Sequence, residues 1–177
     1  MLYISAGHHN KDSGAVSNGR QENKETIWIR DNVCKNLDKL GIHYIKDNDN
    51  ETLKQYLDRI KTDERTLAIE FHFDASSDPK ARGTTAVVRK NATTKEKSIA
   101  RQLGYSVCNA ILTKNRGVIS EEQTARGSLG IMRESGIVVL IEICFISSKL
   151  DMAQWDKNKD KLAKSLGNTI ANILKTV

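Results

Sequence analysis

The stretch Ile137-Val138-Val139-Leu140-Ile141-Glu142-Ile143-Cys144-Phe145-Ile146 decides the fold. It is apolar throughout but for Glu142, and it shows no alternation of apolar and polar positions. A continuous run of this kind reads as a central strand covered on both faces, the pattern of a parallel sheet between layers. Glu142 is then the odd residue. A carboxylate in such a strand loses its hydration, and its pKa should rise unless a cation stands near. Natural chains keep such a group when it is paired or functional, so the two readings are a buried ion pair with a lysine or arginine and a catalytic carboxylate.

Outward from this strand, Leu129 to Met132 precedes it as a short strand, and Leu150 to Leu174 follows it as a closing helix. Further back, Leu2 to Ala6, Leu67 to Phe73 and Thr84 to Arg89 read as strands, with Ile42 to Ile45 a strand candidate. Glu22 to Leu40 has helical spacing, with Ile27, Val33, Cys34, Leu37 and Leu40 broadly on one side and Gly41 as the stop. Thr52 to Ile60 is a second amphipathic helix and Thr94 to Leu112 a long one. Strands alternate with helices. The expected fold is therefore one α/β domain over residues 1–177, with a largely parallel sheet between helices.

The bulk properties agree with a globular domain. The 177 residues are 38% hydrophobic and 28% charged, with a single proline and no Gly/Ser-rich linker. The formal net charge of +6 favours an anionic partner: nucleic acid, anionic lipid or an acidic polymer such as cell wall. The basic residues are scattered, and no recognition motif or interleaved aromatic pattern supports nucleic-acid binding. No run is long enough for a transmembrane helix, so stable membrane insertion is not expected. Cys34, Cys108 and Cys144 are odd in number, lack metal-knuckle spacing and sit in apolar-patterned stretches, which predicts buried free thiols made in a reducing compartment. The opening MLYISAGHH lacks the basic and apolar regions of a signal peptide. The expected localisation is therefore synthesis in the cytoplasm.

In an α/β sheet, chemistry gathers where strands end and loops begin. His8 and His9 lie just past the first strand, and either could be an ordinary loop histidine. His72, in Ile69-Glu70-Phe71-His72-Phe73, is either a satisfied core residue or a metal ligand held by a rigid strand. Two histidines from two strand ends, with a carboxylate from the helix start at Glu22, make a set of two imidazoles and one carboxylate. Three protein ligands with an open fourth position is the usual pattern of catalytic zinc, which activates water and polarises a carbonyl. Hydrolysis also needs a base for the water and an acid for the leaving amine, and Glu142 suits both roles in turn.

Local motifs sharpen this set. Gly7-His8-His9-Asn10-Lys11-Asp12-Ser13-Gly14-Ala15 resembles the GHGGxDPGA signature of the zinc N-acetylmuramoyl-L-alanine amidases, the amidase-3 family found in autolysins and phage endolysins. Gly19-Arg20-Gln21-Glu22 resembles the segment that supplies the ligand glutamate, and Phe71-His72-Phe73-Asp74-Ala75 the HxNA strand end. Leu129 to Arg133 looks like the short strand before the last motif. Val139-Leu140-Ile141-Glu142-Ile143-Cys144-Phe145-Ile146-Ser147 resembles VLVExGFxS, which carries the catalytic glutamate. The motifs run in order over almost the whole chain.

The resemblance implies a mixed, mostly parallel sheet flanked by helices on both faces. It also implies zinc held by His8, Glu22 and His72, Glu142 as general base and acid, and peptidoglycan as substrate. His9 stands at the glycine that follows the family's ligand histidine, so it is not the first choice as a ligand. Glu25, one helical turn from Glu22, is a rival ligand. The chain departs from the pattern at Asp74 for asparagine, Cys144 for glycine and Ile137 for proline. The implied role is a phage or prophage endolysin that acts on the wall after release, with no separate wall-binding domain. Two alternatives stay open: a zinc peptidase acting on another wall amide, and a wall-binding module without turnover.

Overall fold

The structure is a computed structural model and describes the whole chain, Met1–Val177. In chain order its elements are β1 (Leu2–Ala6), β2 (Val16–Ser17), β3 (Arg20–Gln21), α1 (Glu22–Lys39), β4 (Ile45–Lys46), α2 (Leu53–Arg59), β5 (Leu67–Asp74), β6 (Thr84–Val88), α3 (Thr94–Ile111), β7 (Asn115–Ser120), β8 (Ile137–Phe145) and α4 (Lys149–Leu174). Six strands form one sheet in the order β4-β1-β5-β8-β6-β7. β4, β1, β5 and β8 are mutually parallel; β6 runs antiparallel to β8 and parallel to β7. The fold is the expected α/β domain, and the apolar run occupies an interior strand.

The two faces of the sheet are covered unequally. Alternate residues of β1, β5 and β8 (Leu2 and Ile4; Leu67, Ile69 and Phe71; Val139 and Ile141) pack with α1, α3 and α4 in a core of 32 buried residues. The opposite residues (Tyr3, Ala68, Val138 and Leu140) join Tyr56, Ile60, Ile131 and Met132 in a second core of only 9. That face is covered by short α2 and a 3-10 turn at Gly130–Arg133. The thin face therefore has room for a groove, and Glu70, His72 and Glu142 fall on it by the period-2 alternation of strands.

Beyond Glu142 the alternation breaks. The β5–β8 register shifts between His72 and Asp74, so Asp74 pairs with Phe145. The extra residue turns Cys144 into the larger core, where its Sγ lies 4.0 Å from Met152 Sδ, and turns Phe145 to the groove. All three cysteines are buried free thiols, as their apolar settings predicted.

Several element predictions need correction. The expected strand at Leu129 to Met132 is instead the 3-10 turn Gly130–Arg133. It caps the small core with Ile131 and Met132, and Gly130 packs so close to α2 that an added Cβ would lie 3.1 Å from Leu53 Cδ2. The strand candidate Ile42 to Ile45 shrinks to Ile45–Lys46. Two elements went unread. β7 is a half-exposed edge strand without apolar alternation. The β2–β3 hairpin turns on Asn18 and Gly19, whose φ of 49° and 77° suit a type I′ turn; the Asn-Gly pair was the available signal.

Candidate active site

The loop after β1 is folded onto the N-terminus of α1 by backbone and side-chain bonds. α1 has no side-chain N-cap; instead Glu22 N donates to Ala15 O at 2.9 Å and Asn23 N to Ser13 O at 3.1 Å. Helix side chains donate to the loop as well, Thr26 Oγ1 to Gly7 O at 2.7 Å and Asn23 Nδ2 to His9 O at 2.9 Å. These bonds use the helix's orphan donors to pin the loop. They hold His8 in the left-handed region at φ 68°, a conformation uncommon for a residue with a side chain and frequent at functional sites.

The three side chains named from sequence meet. Ligand atoms of His8, Glu22 and His72 lie within 4.8 Å of one another. His8 Nε2 is 3.1 Å from Glu22 Oε2, and His72 Nδ1 is 2.9 Å from Glu22 Oε1. Backbone donors complete the Glu22 carboxylate: Ala15 N at 2.9 Å and Phe73 N at 3.0 Å. Two glycines make this packing feasible. A Cβ on Gly7 would fall 2.4 Å from His72 Cε1, and one on Gly14 2.4 Å from His8 Cδ2.

Electrostatics show what the cluster is suited to hold. Burial opposes charge on Glu22, but its hydrogen bonds to His72 and His8 outweigh this and hold the carboxyl well below the usual range. Burial likewise opposes charge on both imidazoles, and their carboxylate partners raise both above the ordinary histidine value. A divalent cation would take the place of the protons that these carboxylate neighbours favour on the imidazoles. Two nitrogens and a carboxylate fit zinc.

Glu142 is the cross-strand neighbour of His72 and lines the same groove, a cavity of about 1310 Å³. The ion-pair reading of Glu142 fails: no lysine or arginine reaches it, and its Oε2 is buried without a hydrogen-bond partner. Burial carries its pKa to about 7, against the pull of His72 and with the help of Asp74, Glu22 and Glu70. Such a group can take and return a proton near neutral pH. Glu25, the rival ligand, is committed elsewhere: it accepts from Arg20 Nη1 at 2.7 Å and from Trp155 Nε1 at 2.9 Å. His9 lines the groove but stands outside the cluster.

The groove's flanks differ in charge. Asp47 and Glu51 lie on the side of β4 and α2; Lys114, Arg116 and Arg126 lie on the side of β7. Arg116 rests over the Phe145 ring at 5.1 Å.

Comparison with known proteins places this geometry in a family. The family model described as N-acetylmuramoyl-L-alanine amidase (amidase-3) matches residues 2–172. The chain belongs to the N-acetylmuramoyl-L-alanine amidase family. Among curated members, the N-acetylmuramoyl-L-alanine amidase LytC of Bacillus subtilis is 24% identical over 172 residues, covering 93% of this chain and 34% of that protein. The chain thus spans about a third of that relative. Its fold is that of solved amidase-family structures. An N-acetylmuramoyl-L-alanine amidase from Clostridium difficile 630 superposes with a TM-score of 0.83 at 20% identity, over 99% of this chain and 96% of that one. The catalytic domain of CwlV from Bacillus (Paenibacillus) polymyxa gives 0.79 at 18% identity, over 99% and 98%.

Reading this amidase-family sequence by motif missed two carboxylates. Asp12 Oδ2 is 2.7 Å from His8 Nδ1, and Glu70 Oε1 is 3.1 Å from His72 Nε2. Asp12 belongs to the first motif, Gly7 to Ala15, four residues after His8. Glu70 had a signal: like Glu142 it interrupts an apolar strand, and it sits two residues from His72 on the same face.

Proposed function

We propose that this chain is a zinc-dependent N-acetylmuramoyl-L-alanine amidase, cleaving the amide between the lactyl group of N-acetylmuramic acid and L-alanine of the stem peptide. The observation that carries the reading is the convergence of His8, Glu22 and His72 beside an unpaired, buried Glu142 in an open groove. Family membership supports the choice of bond.

His8, Glu22 and His72 would hold the metal. When bound, zinc supplies a Lewis acid and lowers the pKa of water to roughly 7. Glu142 accepts the proton of the attacking water and returns it to the L-alanine nitrogen as that bond breaks, so one carboxyl serves as base and then acid. The thin cover over this sheet face leaves the groove open, as a polymeric substrate needs. The basic flank of Lys114, Arg116 and Arg126 suits an anionic wall polymer. The buried free thiols fit folding in a reducing compartment, which supports the further reading of a phage or prophage endolysin reaching the wall after release.

The test is digestion of purified peptidoglycan with end-group analysis. New L-alanine amino termini, abolished by a chelator and restored by zinc, are the expected result. Release of other amino termini points instead to a wall peptidase. Wall binding without any release leaves a non-catalytic module and sinks the amidase reading.

Gly7→Ala tests the metal site independently of turnover. The added methyl occupies the place of the His72 ring. Zinc affinity is expected to fall about 10–100-fold in a chelator competition, the range for losing the alignment of a metal-binding histidine. Wild-type affinity in this variant would mean that His72 is not a ligand.

A further inference from the structure

Two carboxylates besides Glu22 touch the histidines of the proposed metal site, and they differ in setting. Asp12, beside His8, is half-exposed, with 52% of its side chain accessible. Glu70 is 4% exposed and belongs to a strand rather than a loop. Its Oε1 lies 3.1 Å from His72 Nε2. Its Oε2 accepts from Ser5 Oγ on the neighbouring strand at 3.3 Å. Ser5 and Glu70 are register partners of β1 and β5, so two hydrogen-bonded strands fix the carboxylate in place.

The contacts divide the two nitrogens of His72 between two carboxylates. Nδ1 faces Glu22 and the metal cluster; Nε2 faces Glu70. In His8 the assignment is reversed, with Nε2 towards Glu22 and Nδ1 towards Asp12. A neutral imidazole carries its proton on one nitrogen only, and the hydrogen bond that this proton makes decides which nitrogen is left to bind a metal. An outer carboxylate that accepts from the N–H also orients the ring and raises its basicity as a ligand.

We infer that Glu70 is a positioning residue that holds the His72 proton on Nε2 and so presents Nδ1 to the metal. The inference rests on the zinc reading above and adds to it which nitrogen binds and what fixes it. Ser5 Oγ and Glu70 form the buried support behind His72, while Asp12 gives His8 a solvent-facing counterpart. Glu70 is outside the set of three converging ligand atoms, so its part is played through His72.

The deciding experiment uses the wild-type chain loaded with zinc and labelled with 15N at histidine. The chain has four histidines, His8, His9, His43 and His72, which keeps assignment tractable. Long-range proton–nitrogen correlation spectra are expected to show His72 metal-bound at Nδ1 with a protected Nε2–H, and His8 metal-bound at Nε2. Binding of His72 through Nε2 overturns the inference while leaving the zinc site standing. No zinc shift at either His8 or His72 sinks the zinc reading itself.

Variants supply the second measurement. Glu70→Ala is expected to weaken zinc about 10–100-fold and to change the visible spectrum of the cobalt-substituted protein. Glu70→Gln keeps an acceptor for the Nε2–H and is expected to recover most of the affinity and the wild-type spectrum. Wild-type zinc affinity and cobalt spectrum in Glu70→Ala overturn the inference. So does equal loss in both variants, since a lost hydrogen-bond acceptor then explains nothing. Should Glu70→Ala fail to fold, as judged by the melting of the metal-free protein, the nitrogen assignment in the wild type decides alone.

Discussion

Glu142→Gln is expected to bind zinc and fold like the wild type and to lose about 10²–10⁴-fold in the rate of peptidoglycan hydrolysis, the contribution of a positioned general base and acid. The side chain changes by one atom and keeps its shape, so the strand and the groove have no reason to move. What disappears is the capacity to take a proton from water and give it to the departing nitrogen. The effect on stability has the opposite sign. Burial raises the folded pKa of Glu142 from an ordinary value of 4.5 to about 7. A carboxyl so raised favours the fold fully only below its unfolded pKa, and that contribution is lost as pH rises through the folded pKa. At pH 8 the wild type therefore carries a buried, unpaired charge that the glutamine variant lacks. The variant is expected to melt no lower than the wild type there. Rates measured across pH should also show an acid limb in the wild type, because only the ionised carboxyl can act as base. Substantial hydrolysis by Glu142→Gln would remove Glu142 from the mechanism.

Arg30→Ala is expected to destabilise the fold by about 3–5 kcal/mol, the penalty for breaking a buried ion pair by removing one partner. Arg30 is 1% exposed on α1. Its guanidinium reaches Asp47 at 2.9 Å, Asp49 at 2.5 Å and Asp31 at 2.9 Å. Asp47 is itself buried, and its Oδ1 also accepts from Ala6 N at the end of β1, one residue before Gly7. Burial raises the Asp47 carboxyl to about 6 even though Arg30 pulls it down. Without Arg30 it rises further. A raised carboxyl pKa again means stability present below the unfolded value and lost as pH rises through the folded one. The penalty of Arg30→Ala should therefore be smallest near pH 4, where Asp47 carries a proton, and largest above neutrality. Paired urea titrations of both proteins at the two pH values measure it. A penalty below about 1 kcal/mol at pH 7.5, in the range of exposed pairs, would show that water reaches Asp47 in the variant.

The two predictions concern buried carboxylates that differ in one respect. Asp47 has an arginine and a backbone donor; Glu142 has an oxygen with no partner at all. The first is structural and supports the strand leading to the site, and the second is free for chemistry. In sequence Asp47 stands in the polar stretch Lys46-Asp47-Asn48-Asp49-Asn50, which has no period to mark it as buried. Its burial follows from Arg30 of α1 and Ala6 at the end of β1 meeting on it, and no local pattern encodes that meeting.

Much of the architecture was legible because it depends on local periodicity. The apolar run from Ile137 identified an interior strand, helical spacing marked α1 through α4, and the ordered motifs singled out His8, Glu22, His72 and Glu142. What was missed or misread lacks such a period. β7 is a polar edge strand, recognisable only through its pairing with β6. Leu129 to Met132 is apolar enough for a strand, but it closes the small core as a 3-10 turn.

The sequence by itself determined the α/β class and the interior position of β8, which are carried by hydrophobic period, and its ordered motifs marked His8, Glu22, His72 and Glu142 as the candidate site. The tertiary structure decided which carboxylate goes with which partner. It tied Glu25 to Arg20 and Trp155, left Glu142 unpaired and set Glu70 behind His72. It also put the three long helices on one face, so that the other remained thin enough to open a groove. Those assignments are contacts between residues as far apart as Glu25 and Trp155, and the free energy of a buried charge depends on such neighbours rather than on its own stretch of chain.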